Sequence, residues 1–106
     1  MKLWVDDIRP APNGYYWCKS VNEAKRVIEE YSSRVDFDNN IVYDIELIDL
    51  DHDAGSYAEF GGDYIKILDF IEETGRNYPI RIHSMNPVGV ENMRRIIQRN
   101  GWKEVR

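Results

Sequence analysis

The sequence predicts an α/β domain on a mainly parallel sheet of about five strands, and two observations carry that prediction. Short apolar runs rich in β-formers alternate with segments whose apolar residues recur at helical spacing, the pattern of strands joined by crossover connections. At 106 residues, without repeats or low-complexity stretches, the chain reads as one compact unit over residues 1–106, large enough to bury a core.

KLWVDD, Lys2 to Asp7, is an apolar run stopped by two carboxylates and predicts a buried strand. IRPAPNG, Ile8 to Gly14, holds two prolines and a terminal Asn-Gly, so a loop follows rather than a helix. YYWCK, Tyr15 to Lys19, is the second strand. Ser20 and Glu23 have capping-box spacing, and Val21, Ala24, Val27, Ile28 and Tyr31 predict a helix from Val21 to Tyr31. Between Ser32 and Glu46 two readings stand: VDF and IVY are short strands, or the segment is an irregular connection through Asn39 and Asn40. Leu47 to Asp51 is the next strand, and HDAGSYAEFGG behind it has the small residues of a functional loop.

Asp63 stands as N-cap of a helix marked by Tyr64, Ile65, Leu68, Phe70 and Ile71 and ended by Gly75. Pro79 to His83 is a strand. Asn86-Pro87 supplies an N-cap and a first-turn proline for a helix that turns Val90, Met93, Ile96 and Ile97 inward and ends near Gly101. Trp102 to Val105 is an edge strand. Right-handed crossovers would set the carboxyl ends of these strands on one edge, where open α/β sheets bind ligands.

Composition narrows the function classes. The lone Cys18 cannot form an internal disulfide and has no evident activator, and no signal peptide or membrane-spanning run is present, so a soluble cytoplasmic domain is expected. The net charge of -5 argues against stable DNA binding, yet it is unevenly spread. Residues 1–75 carry 7 basic and 17 acidic side chains, residues 76–106 carry 7 basic and 2 acidic. Arg94, Arg95, Arg99, Lys103 and Arg106 either line a path for RNA or only complement helix ends. Gly61-Gly62-Asp63 is too short for a phosphate loop.

The three strand ends carry the chemistry. Asp6, Asp7, Asp51 and Asp53 in one cleft would repel one another unless a cation compensated, and an oxygen-rich set of this kind suits Mg²⁺ or Mn²⁺. Any one of them alone fits loop capping equally well. His52 and His83, the only histidines, fall at strand ends beside carboxylates and suit acid/base work on a cyclic phosphodiester, together with Asp51; a pair of hydrogen-bonded structural histidines is the alternative. Two histidines in one pocket favour an enzyme, whereas histidines on opposite sides of the sheet favour a binding module. Ser84 and Asn86, ahead of a helix start, can hold a phosphate, as can Arg9; ordinary capping and pairing of Arg9 with Asp6 or Asp7 are the alternatives.

These residues carry a resemblance. Asp6-Asp7 after the first strand, Asp51 after the third and Ser84 after the fourth resemble the receiver domain of response regulators, a flavodoxin-like fold with helices on both faces. There the acidic pair holds Mg²⁺, the central aspartate accepts a phosphoryl group and the hydroxyl senses it. The chain departs from the pattern: a proline loop replaces the first crossover helix, no lysine ends the last strand, and the final helix is missing. LWVDDIRPAP, WCKSVNEA, LIDLDHDAG and IHSMNPVGVENM are similar, in order, to a receiver-like family described as cyclic-phosphate processing. That resemblance implies hydrolytic opening of a cyclic phosphodiester, on nucleotides or at 2′,3′-cyclic ends of RNA, with a phosphate-bearing small molecule or an RNA end as partner. A non-catalytic binding module that keeps the acidic pocket is the rival expectation.

Overall fold

The computed structural model describes residues 1–31, 34–35, 37–42 and 44–106. In chain order the strands are β1 (Lys2–Val5), β2 (Tyr15–Cys18), β3 (Arg34–Val35), β4 (Ile41–Val42), β5 (Leu47–Leu50), β6 (Ile80–Ile82) and β7 (Glu104–Val105). The helices are α1 (Val21–Glu30), α2 (Ile65–Glu73) and α3 (Pro87–Asn100), with a 3₁₀ segment at Gly55–Phe60. Five strands form one all-parallel sheet in the order β2-β1-β5-β6-β7, the receiver-like α/β arrangement expected. β3 and β4 make a separate antiparallel pair, so VDF and IVY each contribute strand backbone; Asp36 and Tyr43 of those triplets lie outside the described residues.

Local signals explain the helices. Ser20 Oγ accepts from the Glu23 amide at 3.1 Å, and Glu23 Oε2 accepts from the Lys19 amide at 3.1 Å, one residue earlier than an ideal capping box. Asp63 does not cap α2, because its Oδ1 accepts from the Ala54 amide at 3.0 Å and ties down the loop after β5 instead. The buried stripe of α2 is Tyr64, Ile67, Leu68 and Ile71, at strict helical steps, while Ile65 and Phe70 are only partly covered. Asn86 caps α3 as expected, accepting from the Gly89 amide at 3.0 Å. Val90 leaves the inward set and Gly89 joins it.

The distribution of helices differs from the expectation of two covered faces. Among the described residues all three helices share the face carrying Leu3, Val5, Ile48, Leu50 and Ile80, where the core lies. Handedness explains this: β2 to β5, β5 to β6 and β6 to β7 all step in the same direction across the sheet, so right-handed crossovers put every helix on one side. Only β1 to β2 steps the other way, and its connection is the proline loop.

On the helix-free face the register lines up Trp17, Trp4, Asp49, Arg81 and Val105 in one row across the strands. Two indoles fasten the proline loop, Trp4 Nε1 donating to the Arg9 carbonyl at 2.9 Å and Trp17 Nε1 to the Asp6 carbonyl at 2.7 Å. Trp17→Phe keeps a ring and removes the second bond, so it should cost about 1–2 kcal/mol in a urea titration followed by circular dichroism.

Candidate functional site

β1 delivers Asp6 and Asp7 to the carboxyl edge. Asp6 is almost wholly buried; its Oδ1 accepts from the Ile8 and Arg9 amides, both at 2.9 Å, which turns the chain into the proline loop. Its Oδ2 lies 2.9 Å from His83 Nε2. Burial pushes this carboxyl up, but donation from the Arg9 amide, the Ile8 amide and His83 outweighs it and holds the group below its ordinary value.

His83 is locked. Its Nδ1 lies 2.7 Å from Asp49 Oδ1, its ring stacks on Trp4 at 3.8 Å and 4°, and its side chain is 7% exposed. Arg81 Nη1 donates to the other oxygen of Asp49 at 2.9 Å. Asp6, His83, Asp49 and Arg81 thus form one chain of carboxylate, imidazole, carboxylate and guanidinium. Both ring nitrogens of His83 already face carboxylates, so neither is open to a substrate.

Asp49 is the residue that sequence reasoning missed. It reads as a strand interior in LIDL, yet it is fully buried and central to the network. A signal existed: an aspartate inside an apolar strand needs a partner, and the neighbouring strand offers Arg81 and His83 at alternate positions. Removing the imidazole would leave two buried carboxylates facing each other. His83→Ala should therefore lose about 3–5 kcal/mol of stability in denaturant unfolding rather than leave the fold intact.

His52 lies on the other side of the strand ends, against the start of α3. Its ring packs so closely on Gly89 that a Cβ there would come within 2.4 Å of it. Its Nδ1 donates to Asp53 Oδ1 at 3.0 Å, and this contact, ahead of the weaker influence of Asn86, draws the Asp53 carboxyl below its usual range. Among the described residues nothing hydrogen-bonds His52 Nε2. The two histidines therefore flank the carboxylates from opposite sides of the sheet.

Asp6, Asp7 and Asp51 each offer an oxygen within 4.8 Å of the others, a set that could hold a metal ion. Asp53 falls instead with His52 and Asp63. Burial pushes the Asp7 carboxyl above its ordinary value, and the charges of Asp6, Asp51 and Asp53 add to the push against its own backbone amide. Gly55, at φ +56°, lets the loop after β5 close over Asp7, because a Cβ would meet Asp7 Oδ2 at 2.4 Å. Ionised Asp7 is thus costlier in the folded chain than in the unfolded one. In EDTA at pH 7, Asp7→Asn should melt above the parent protein, and the gap should close once the pH falls below the ordinary carboxylate value, where Asp7 is protonated in both states.

Arg9, Asp51, Asp53, Ser84, Met85 and Asn86 line a cleft of ≈ 270 Å³ at this edge. Arg9 pairs with neither Asp6 nor Asp7; its Nη1 donates to the His83 carbonyl at 3.3 Å. Ser84 Oγ accepts from the Asn86 amide at 3.1 Å and Asn86 Oδ1 caps α3, so both serve the turn while lining the cleft. Cys18 stands apart: burial, with Glu23 nearby, pushes its thiol up to about 12, which keeps it protonated and unreactive at neutral pH.

A five-stranded parallel sheet whose carboxyl edge gathers acidic side chains defines a receiver-like domain. Within that class the chain belongs to the cyclic-phosphate processing receiver domain family, which its residues 1–99 match. No curated protein and no solved structure matches it. Among the described residues no helix is long and apolar enough to cross a membrane.

Proposed function

We propose that this domain opens a cyclic phosphodiester by water with the help of a divalent cation. The observation that carries the reading is the convergence of Asp6, Asp7 and Asp51 beside a cleft rimmed by Arg9, Ser84 and Asn86, in a chain of this family. The donor set fits a hard cation such as Mg²⁺ or Mn²⁺: all three ligands are oxygens, and Asp7 is pushed up by burial and then by the charges of Asp6, Asp51 and Asp53, which a cation would offset. Bound there, the ion would act as a Lewis acid toward a phosphate oxygen.

The chain's own residues supply the rest. Arg9 offsets charge on the non-bridging oxygens, and Ser84 and Asn86 fix the diester in the cleft. With its Nδ1 proton held by Asp53, His52 presents the Nε2 lone pair to the attacking water. As the water oxygen bonds to phosphorus, Nε2 takes its proton; one ribose oxygen leaves phosphorus and recovers that proton from the ring, giving a phosphomonoester. Asp53 steadies the ring while it is charged, and Asp51, whose Oδ1 accepts from the His52 amide at 2.7 Å, orients the loop. His83 holds Asp6 in place rather than moving protons.

One observation favours the rival reading of a binding module: the histidines face opposite sides of the sheet and His83 has no free nitrogen. A single experiment separates the two. Phosphorus NMR of 2′,3′-cyclic nucleotides and of RNA ending in a 2′,3′-cyclic phosphate should show monoester forming with Mg²⁺ or Mn²⁺ and stopping in EDTA. His52→Gln should slow it by about 10²–10⁴-fold at unchanged melting temperature. Gly89→Ala should slow it too, with α3 intact, since the new methyl displaces the His52 ring. Saturable, cation-dependent binding of the cyclic nucleotide without turnover would replace the enzyme by the binding module.

A further inference from the structure

A second opening runs on from the phosphate cleft along α3. Met85, Pro87, Val90, Arg94, Arg95 and Gln98 line it, it holds ≈ 580 Å³, and it shares Ser84 and Met85 with the cleft. The two spaces therefore meet at a common wall. Positions 87, 90, 94 and 98 follow at three- and four-residue steps, one stripe roughly 16 Å long at the helical rise.

The chemistry changes along this stripe. Met85, Pro87 and Val90 make an apolar wall next to the cleft, and the Met85 side chain is adaptable enough to lie against a flat ring. Farther along stand two guanidiniums, an amide and the Glu91 carboxylate. Among the described residues Arg95 pairs only with Glu91, an exposed pair at 3.2 Å that holds it weakly and leaves it ready to stack or to meet an anion. Arg94 is tied to Glu104 through Nε alone, at 2.9 and 3.2 Å. A purely apolar peptide would leave this polar end unmatched. A flat, apolar-faced group with a polar edge, joined to a phosphate, matches both ends and the surplus of positive charge in residues 76–106.

We infer that the α3 groove receives the nucleoside of a substrate whose cyclic phosphate lies in the cleft, with Met85, Pro87 and Val90 against the base and Arg95 and Gln98 at its polar edge. This rests on the cyclic-phosphate reading above and narrows its substrate to a cyclic phosphate carried on a nucleoside.

The test is an amide NMR titration of the full chain in Mg²⁺, in a His52→Gln background that slows turnover, with 2′,3′-cyclic AMP and separately with inorganic phosphate. The nucleotide should bind about tenfold tighter than phosphate and shift the Val90, Arg94 and Gln98 amides, which phosphate leaves in place. Val90→Asp, Arg95→Glu and Gln98→Ala should each weaken the nucleotide toward the phosphate value without changing phosphate affinity. Equal affinities, shifts confined to the cleft, or three silent variants would overturn the inference while the phosphate reading stands. If neither ligand moves the Ser84 and Asn86 amides, the phosphate reading falls, and this one with it.

Discussion

A carboxylate with no exposure in the middle of a parallel sheet must be matched within the protein, and the match that Asp49 finds organises the carboxyl edge. His83 and Arg81 occupy its two oxygens, and His83 in turn reaches Asp6. Asp6 then has one oxygen left for the amides that start the proline loop. The position of the acidic pair is therefore inherited from a contact two strands away.

This arrangement divides the edge into two regimes. On the helix-free side Asp6, His83 and Asp49 are buried and paired, and Trp4 covers the imidazole; they are suited to holding position. On the α3 side the groups are wetter and less committed: the Asp53 side chain is 60% exposed and His52 has an open nitrogen. A group can exchange protons with a ligand only if it has a lone pair or a proton to spare. That physical distinction, more than residue type, separates the two histidines.

The absence of a crossover helix between β1 and β2 has a structural consequence as well. A sheet face without a helix still needs its strand ends organised, and here indole N–H groups and an Asx-type turn at Asp6 do so by fixing loop carbonyls and amides. Because that loop also carries Arg9, the same bonds place a guanidinium at the cleft beside Ser84 and Asn86. Fold economy and site assembly meet in the nine residues between β1 and β2.

By itself the sequence determined the α/β alternation, the five sheet strands, the caps at Ser20 and Asn86, and the gathering of Asp6, Asp7, Asp51 and Ser84 at one edge, because periodicity and capping are local and handedness is general. The backbone of VDF and IVY stays ambiguous in the sequence because two-residue strands carry too little pattern to outweigh turn signals. Tertiary structure alone decided which face the helices cover, since that follows from the order of strands in space. It alone decided also that Asp49 belongs to the site, that Asp63 serves a loop and that His83 is sealed while His52 is open. Those outcomes depend on partners from other strands brought within about 3 Å, a distance that spacing along a chain does not encode.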